Sequence, residues 1–236
     1  MLKTKNKLEN LNFNVVIPAR SGSKGLKNKN ILPLLDKPLI SYTLEAAKDI
    51  FQTNQIIVST DSLEIKKIVE AHDIIIPRLR PKTLSGDATP MSDVILDIIE
   101  KDLPSLPDYI IILQPTSPLR NSKHIREAMH LIDSKTEMIV SVCESKSNPY
   151  WNLFEENEKG SLIKSKPGSF TCRQHLPLVY RLNGSIYIIK TKSFLEKKNF
   201  QFNHIKKYVM SEKLSIDIDS FIDFKFAEMI LESKLI

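Results

Sequence analysis

Residues 15–30 read Val15-Val16-Ile17-Pro18-Ala19-Arg20-Ser21-Gly22-Ser23-Lys24-Gly25-Leu26-Lys27-Asn28-Lys29-Asn30. The apolar start predicts a buried strand. Residues 18–30, here called the basic loop, carry four cations and two of the chain's six glycines. Glycine lets a backbone approach a ligand closely, and successive backbone N–H groups in such a loop can bind an anion. Because loops at the carboxyl ends of strands bind ligands in open α/β sheets, we interpret the basic loop as a polyphosphate site.

Two common phosphate-binding patterns are absent from the basic loop. It contains no Gly-x-x-x-x-Gly-Lys-Ser/Thr run, and Gly22 and Gly25 do not form Gly-x-Gly-x-x-Gly. Considered alone, the loop is better explained as a solvated basic turn. The choice between a polyphosphate site and a solvated turn depends on which other residues the fold places next to the basic loop.

Strand and helix patterns alternate along the remainder of the chain. Such alternation predicts an α/β domain with a mainly parallel sheet and helices on both faces. The loops that follow the strands should then meet at one edge, which would bring Thr60-Asp61, residues 78–90 and residues 114–120 to the basic loop. The predicted strands are 15–17, 56–58, 74–76, 109–113, 138–143, 184–189 and 214–219, and the predicted helices are 38–51, 62–69, 94–99, 125–132 and 221–235.

The chain divides into a short lead-in and one large domain. Residues 1–12 are polar and lysine-rich, and we expect them to be loosely ordered ahead of a single domain at 13–236. Within that domain the alternation breaks at residues 144–182, here called the excursion. The excursion contains apolar residues without an evident internal partner, which predicts a lid or a dimer contact. These residues are Trp151, Leu153, Phe154, Phe170 and Leu176.

Composition restricts the classes of partner and compartment. The net charge is +6 and the pI is about 9.1, which suits an anionic substrate or a nucleic acid. The basic loop has no aromatic residue to stack on bases, so we expect no nucleic-acid partner. No run reaches the ~18 apolar residues of a membrane span. With Cys143 and Cys172 lacking metal spacing, we expect a reduced, cytoplasmic protein without a membrane partner.

The second informative feature is Asp217-Ile218-Asp219. In a strand, residues two apart point to the same face, so both carboxylates would lie together. Mg²⁺ binds one or two carboxylates plus waters and substrate phosphates, and the pair suits it. The alternative is two solvated acids, with Asp219 capping the last helix. Several arginines pose a similar choice between an anion site and a surface ion pair: Arg80, Arg120, Arg173 and Arg181.

The motifs as a set identify a resemblance. Residues 17–30, 58–61, 113–120, 181–187 and 215–219 follow the order of motifs found in the acylneuraminate cytidylyltransferases, which make CMP-activated sialic acid and related nonulosonic acids. The resemblance spans about residues 14–235. It implies a three-layer α/β/α, Rossmann-like nucleotidyltransferase fold of the GT-A-like type, with a mainly parallel mixed sheet. It also implies a homodimer formed through the protruding excursion.

The resemblance implies that the anomeric hydroxyl of a sugar acid attacks the α-phosphate of CTP and releases pyrophosphate. Arg20, Lys29, Arg173 and Asp219 would carry the reaction, with Mg²⁺ as the cofactor. The implied roles are triphosphate binding by Arg20, Lys24 and Lys29, nucleotide binding by Asn30, Arg80 and Thr89, contacts to the sugar acid by Gln114, Arg173, Asn183 and Tyr187, and metal binding by Asp217 and Asp219.

Two stretches depart from the family, and two other functions remain open. Residues 85–92 vary among relatives, which weakens the basis for Thr89, and residues 148–151 lie where some relatives have a lysine. One alternative is a cytidylyltransferase for 3-deoxy-manno-octulosonate, whose phosphate loop usually has Arg-Leu-Pro-Gly-Lys. The other is a non-enzymatic anion- or RNA-binding module. The acceptor itself, whether sialic, legionaminic or pseudaminic acid, is not determined by these motifs.

Overall fold

A computed structural model describes residues 8–22 and 25–233 of the chain. Its core is a six-stranded sheet flanked by helices, which confirms the α/β class. The strands are β1 Phe13–Pro18, β2 Pro33–Leu34, β3 Lys37–Pro38, β4 Ile56–Ser59, β5 Tyr109–Leu113, β6 Met138–Glu144, β7 Phe154–Glu156, β8 Leu162–Lys164, β9 Tyr180–Lys190 and β10 Ile205–Val209. The helices are α1 Leu39–Lys48, α2 Leu63–Glu70, α3 Met91–Lys101, α4 Ser122–Met129, α5 Thr191–Lys197 and α6 Phe221–Glu232.

The sheet is mainly parallel, with one strand reversed. Its order is β10-β6-β9-β5-β1-β4. β1 pairs in parallel with β4 and β5, placing Val15 between Ile56 and Ile111. β9 runs antiparallel to both β5 and β6. The carboxyl ends of β1, β4 and β5 therefore meet at one edge, together with the amino-terminal half of β9.

Alternate side chains of β1 enter two different hydrophobic cores, as the period of a strand requires. Val15 and Ile17 pack in a cluster that includes Leu44 of α1 and Ile125 of α4. Val16 packs in a second cluster with residues of α3 and α5. The sheet thus carries helices on both faces, as the alternation predicts, and strands buried on both sides read as continuous apolar runs.

The predicted strand at 74–76 is wrong. The segment is extended but unpaired, so β4 is the edge strand. Ile74 and Ile76 are buried, whereas Ile75 is 79% exposed, so the segment packs by alternate side chains without joining the ladder. Asp73, in the left-handed region at φ 62°, turns the chain just before it.

The predicted strand at 214–219 is also wrong. Glu212–Leu214 form a 3₁₀ turn, and the residues after it are extended without a strand partner. Ile218 donates its N–H to the carbonyl of Thr116 at 2.8 Å, which fixes the segment beside the turn after β5. The cap of α6 is Ser220, whose hydroxyl accepts from the Asp223 N–H, so the alternative of a cap at Asp219 is wrong.

The excursion contains a small hairpin rather than a continuation of the central sheet. β7 and β8 pair antiparallel, and all six of their residues are exposed. Phe154, Leu162 and Ile163 are each about half exposed or more. The dimer role of the excursion stays a prediction. Among the described residues, none of the helices is long and apolar enough to cross a membrane.

Candidate active site

The carboxyl ends of β1, β4 and β5 open into a cleft of about 380 Å³. The expected convergence of loops at this edge is therefore correct. The cleft brings together six of the residues to which the sequence assigns roles, with Pro18, Gly25, Met91, Pro115 and Thr116 completing the lining. The six are Arg20, Lys29, Asn30, Arg80, Gln114 and Asp219.

The basic loop is anchored at its start by the strand beside it. Asp61, just after β4, accepts hydrogen bonds from the backbone N–H of Ser21 at 2.7 Å and from its hydroxyl at 2.8 Å. Across the loop, the buried amide of Asn30 donates to the carbonyl of Arg20 at 3.0 Å. These bonds hold both ends of the loop at the mouth of β1, and Lys29 of the same loop lines the cleft.

The far end of the loop touches the segment that carries the carboxylate pair. An ideal Cβ placed on Gly25 would lie 2.1 Å from the carbonyl oxygen of Asp219, so only glycine fits there without movement. Lys29 also reaches this segment, donating to the Asp219 carboxylate at 2.7 Å and to the Ile218 carbonyl at 2.8 Å. The Asp219 side chain is 76% exposed, so it remains open to a further ligand.

Arg20 reaches across the cleft to the loop before α3. Its guanidinium lies 2.6 Å from the carboxylate of Asp87 and donates to the carbonyl of Ser85 at 3.4 Å. Arg20 is thus a cleft cation whose charge is already balanced within the protein. No motif in the sequence indicated this partner.

Arg80 is buried and rigidly held at the end of β4. It donates to the hydroxyl of Ser59 at 2.9 Å and to its carbonyl at 2.6 Å. Burial lowers the pKa of Arg80 to about 10, and the neighbouring charge of Arg20 also lowers it. The guanidinium therefore remains charged at neutral pH and adds a fixed positive charge to the cleft wall.

Asp217 lies behind the cleft, half-buried beside the turn after β5. Burial raises the pKa of Asp217, the nearby Asp219 raises it further, and a hydrogen bond with the Thr116 side chain opposes the shift. Its Oδ1 atom is buried and has no hydrogen-bond partner within the part of the chain that the structure describes. An ideal Cβ on Gly184 would lie 3.2 Å from Asp217 Oδ2 and 3.1 Å from Gln114 Oε1, so Gly184 leaves room between these two polar groups.

These two carboxylates fit a magnesium ion. A partnerless buried oxygen on Asp217 and an exposed carboxylate on Asp219 offer hard oxygen ligands on one short segment, and Mg²⁺ completes its shell with water and substrate phosphate. Among the described residues no group of three or more His, Cys, Asp and Glu side chains could hold a metal ion. The donor set therefore suits a metal that depends on its substrate for ligands.

The remaining assigned residues that the structure describes lie outside the cleft lining. Tyr187 lines an adjoining apolar pocket of about 400 Å³, which shares Gln114 and Met91 with the cleft. Arg173 lines a separate depression with Lys146 and Glu212. Thr89 is half-buried in the loop before α3. Lys24 lies outside the described residues.

Asn183 is a core residue in this structure. It is 1% exposed, its amide donates to the Ser215 hydroxyl at 2.9 Å, and its carbonyl oxygen accepts from the Ser141 hydroxyl at 2.6 Å. These bonds tie β6 and β9 to the segment that carries Asp217. Asn183 thereby supports the carboxylate pair from within the core.

Arg120 has a role that sequence reasoning missed. It is 2% exposed, and burial lowers its pKa to about 9. Its guanidinium donates to the carbonyls of Gln114 at 3.2 Å and Ser185 at 3.1 Å and to the Thr43 hydroxyl at 2.6 Å. Arg120 thus fixes the turn that presents Gln114. Its position at the end of a proline-rigid turn was the available signal.

Comparison with known proteins gives one family and several relatives. The chain matches the family model described as cytidylyltransferase over residues 14–235. It is 34% identical to the CMP-N,N'-diacetyllegionaminic acid synthase of Legionella pneumophila, over 92% of this chain and 95% of that protein. It is 36% identical to the N-acylneuraminate cytidylyltransferase of Escherichia coli, over 93% of this chain but about half (52%) of that longer protein.

The fold also has a close counterpart among solved structures. A CMP:2-keto-3-deoxy-manno-octonic acid synthetase complexed with CTP superposes with a TM-score of 0.71, covering 95% of this chain and 100% of that one. The sequence identity is 15%, so this likeness concerns the fold alone. It agrees with the nucleotidyltransferase fold expected from the sequence.

Proposed function

The chain belongs to the cytidylyltransferase family, and on that premise we propose that it transfers CMP from CTP to the anomeric hydroxyl of a nonulosonic acid and releases pyrophosphate. The observation that carries the proposal is the meeting of Arg20, Lys29, Arg80 and Asp219 around one cleft. The names of relatives that act on sialic and legionaminic acids support a nine-carbon acceptor. Any larger activity of the longer relative lies beyond what this chain covers.

The cations of the cleft bind the triphosphate in this proposal. Arg20 and Lys29 face the phosphates, and Lys24 of the same loop joins them. Phosphoryl-type transfer depends mainly on positioning and on neutralising charge, which a fixed set of cations supplies. Asn30 and Arg80 bind the nucleotide from the cleft wall, and Thr89 does so from the loop before α3.

The acceptor occupies the space between Gln114 and Tyr187. The cleft and the adjoining apolar pocket both include Gln114, which supports a hydrogen bond from its amide to a sugar held between them. Arg173 lines a separate depression, and its assignment to the acceptor's carboxylate rests on the family resemblance alone. Asn183, which is buried, supports the acceptor site through the core contacts described above. The acceptor's anomeric oxygen attacks the α-phosphorus, and the bond from that phosphorus to the bridging oxygen of pyrophosphate breaks.

Asp217 and Asp219 would hold Mg²⁺. When bound, the metal neutralises phosphate charge and lowers the pKa of the attacking hydroxyl. Lys29 bonds Asp219 in the free protein, and with that carboxylate serving as a metal ligand its ammonium group would bind phosphate oxygens. The protein itself contributes the pairing of Lys29 on the basic loop with Asp219 on the carboxylate segment, and in this proposal both segments contact the nucleotide.

The proposal includes the assembly and the compartment. The single domain at 13–236 forms a homodimer through the excursion, whose apolar side chains Leu153, Phe154 and Leu162 are exposed. Burying them between two copies would be favourable by about 25 cal/mol per Å². The enzyme works in the cytoplasm, where CTP is available, and needs neither a nucleic acid nor a membrane as a partner.

A pyrophosphate-release assay across a panel of sugar acids tests the proposal. The purified chain receives CTP, Mg²⁺ and, in separate reactions, N-acetylneuraminic, diacetyllegionaminic, pseudaminic or 3-deoxy-manno-octulosonic acid. Release with one or more nine-carbon acids supports the proposal. Release with the eight-carbon acid alone assigns the alternative enzyme, and CTP binding without release in any reaction favours a non-enzymatic anion-binding module.

A further inference from the structure

Arg20 is held by the segment between the 3₁₀ turn at Lys82–Leu84 and α3. We call residues 85–89 the strap. Asp87 lies 2.6 Å from Arg20 Nη1, and the Ser85 carbonyl accepts from the same nitrogen at 3.4 Å. The strap is folded locally, since the Thr89 N–H donates to the Gly86 carbonyl at 3.2 Å and the Ser85 hydroxyl donates to the Pro81 carbonyl at 3.0 Å. The strap therefore presents an acid to a cation of the cleft.

Arg20 cannot fully serve two anions at once. Its guanidinium lines the cleft, and arginine binds phosphate best when two of its N–H groups point at the same oxyanion. A guanidinium nitrogen that is committed to Asp87 is unavailable in that geometry. Binding of a polyphosphate must either exchange the partner of Arg20 or tolerate a carboxylate next to the phosphate. Both options reduce affinity.

Asp87 differs in this respect from Asp219. Asp219 lines the cleft and pairs with Lys29, and in the proposed function it gains a metal when it loses the lysine. Asp87 is absent from the cleft lining and meets the cleft through Arg20. Its negative charge opposes the nucleotide's charge without offering a ligand in return.

We propose that Asp87 sets the nucleotide affinity of the cleft by competing with the phosphates of the substrate for Arg20. The inference rests on the proposed function, because it takes CTP as the molecule that enters the cleft. The strap is then a built-in counter-ion that keeps Arg20 positioned when the cleft is free and yields when the triphosphate arrives.

Calorimetric binding of CTP, without sugar acid, tests the proposal. Asp87→Asn should bind CTP about two- to fivefold more tightly than the wild type at low ionic strength, the range expected for releasing a partly exposed ion pair. The matched control is Asp93→Asn. Asp93 is an exposed acid in the first turn of α3, and its carboxylate accepts from the Ser92 hydroxyl at 3.3 Å. The control should bind as the wild type does.

A double-mutant cycle assigns the effect to Arg20. In an Arg20→Ala background, Asp87→Asn should no longer tighten CTP binding. With Arg20 present, Asp87→Glu keeps a carboxylate at this position, so it should bind CTP less tightly than Asp87→Asn does. Raising the salt to 0.5 M should shrink the gain, since screening weakens exposed pairs. A thermal melt of each variant shows that it is folded.

Two results would overturn the proposal. One is CTP affinity in Asp87→Asn that equals or falls below that of the wild type, because Asp87 would then be neutral or would support binding. The other is an equal increase in CTP affinity from Asp87→Asn with and without Arg20, because the effect would then be long-range electrostatic repulsion and not competition for Arg20. Pyrophosphate release with sugar acids is measured separately, so a failure of the proposed acceptor is distinguishable from a failure of the strap.

Discussion

Lys29 Nζ lies 2.7 Å from Asp219 Oδ1, although 190 positions separate the two residues. The contact joins the basic loop to the segment that carries both carboxylates, and Lys29 strengthens it with a bond to the Ile218 carbonyl at 2.8 Å. A cation assigned to phosphate and an acid assigned to metal therefore neutralise each other in the free protein. We expect the nucleotide and its metal to bind together. The nucleotide's phosphates would replace Asp219 as the partner of Lys29, and the metal would replace Lys29 as the partner of Asp219.

Lys29→Ala should weaken CTP binding by about ten- to a hundredfold. The reason is the loss of a charge-assisted hydrogen bond to phosphate, worth about 1.5–3 kcal/mol. Calorimetry with CTP and Mg²⁺ gives the dissociation constants. Lys27→Ala is the control, since Lys27 is an exposed lysine of the same loop that does not line the cleft. Equal affinity in Lys29→Ala and the wild type would remove Lys29 from the triphosphate site.

Gly25→Ala should disrupt the site, whereas Gly22→Ala should not. The new methyl group at Gly25 would lie 2.1 Å from the Asp219 carbonyl oxygen, so the basic loop must move away from the carboxylate segment. At Gly22, none of the described residues beyond its chain neighbours lies within 4 Å of a new methyl group. The measurements are the dissociation constant for CTP and the melting temperature. Normal CTP binding by Gly25→Ala would contradict the close approach.

Asp217→Asn should strongly reduce the response to metal without weakening the fold. Because burial and Asp219 raise the pKa of Asp217, its charged form is unfavourable in the free protein, and a neutral amide should keep or slightly raise the melting temperature at pH 7. Mg²⁺ with CTP should raise the melting temperature of the wild type but much less that of the variant. Asp36→Asn, at an exposed position, is the control. An undiminished Mg²⁺ response in Asp217→Asn would exclude Asp217 as a ligand.

The sequence predicted the site where parallel strands determine it. Arg20 and Lys29 follow β1, Asp61 follows β4 and Gln114 follows β5, and the carboxyl ends of parallel neighbours must meet. The contact between Lys29 and Asp219 is of another kind. It depends on an extended segment without a strand partner, so the carboxylate motif, rather than a strand pattern, was the signal that placed it near the cleft.

Strand prediction from the sequence failed where the side-chain pattern and the backbone pairing in the sheet do not agree. The composition of a strand is found at Ile74, Ile75 and Ile76, but this segment forms no backbone ladder with the neighbouring edge strand β4. Ile205–Val209 form β10 although Lys206 and Lys207 suggest a solvated turn, because the edge position lets lysine stems lie along the sheet. The ion pair between Asp87 and Arg20 could not be predicted from the sequence. Asp87 belongs to no motif, and the pair forms only because the loop folds next to Arg20.

The carboxylate of Asp97 should make stability depend on pH. It accepts from Lys101 and Arg78 at 2.6 Å each. Burial alone would raise its pKa, but these hydrogen bonds outweigh burial, and the pKa of Asp97 is lowered from its usual 3.8. The unfolded state therefore binds more protons, and the stabilisation is present above pH ~4 and lost as pH falls through the folded-state pKa.

Asp97→Asn should accordingly lower the free energy of unfolding by about 1–3 kcal/mol at pH 7, and the difference from the wild type should shrink at and below pH ~4. Urea titrations at several pH values measure it. Asp93→Asn, one turn earlier on the exposed side of α3, should stay within about 0.5 kcal/mol of the wild type. A deficit in Asp97→Asn that is constant over the whole pH range would show that its charge is not the cause.

The reaction itself is followed most directly by ³¹P NMR of one mixture of CTP, Mg²⁺ and a nonulosonic acid, with the wild type and with Asp219→Asn. The account predicts that the wild type converts the α-phosphate signal of CTP into a phosphodiester of the CMP-sugar, with an equal amount of pyrophosphate, and that Asp219→Asn, although folded, does neither. Release of inorganic phosphate in place of pyrophosphate, or full turnover by Asp219→Asn, would contradict it.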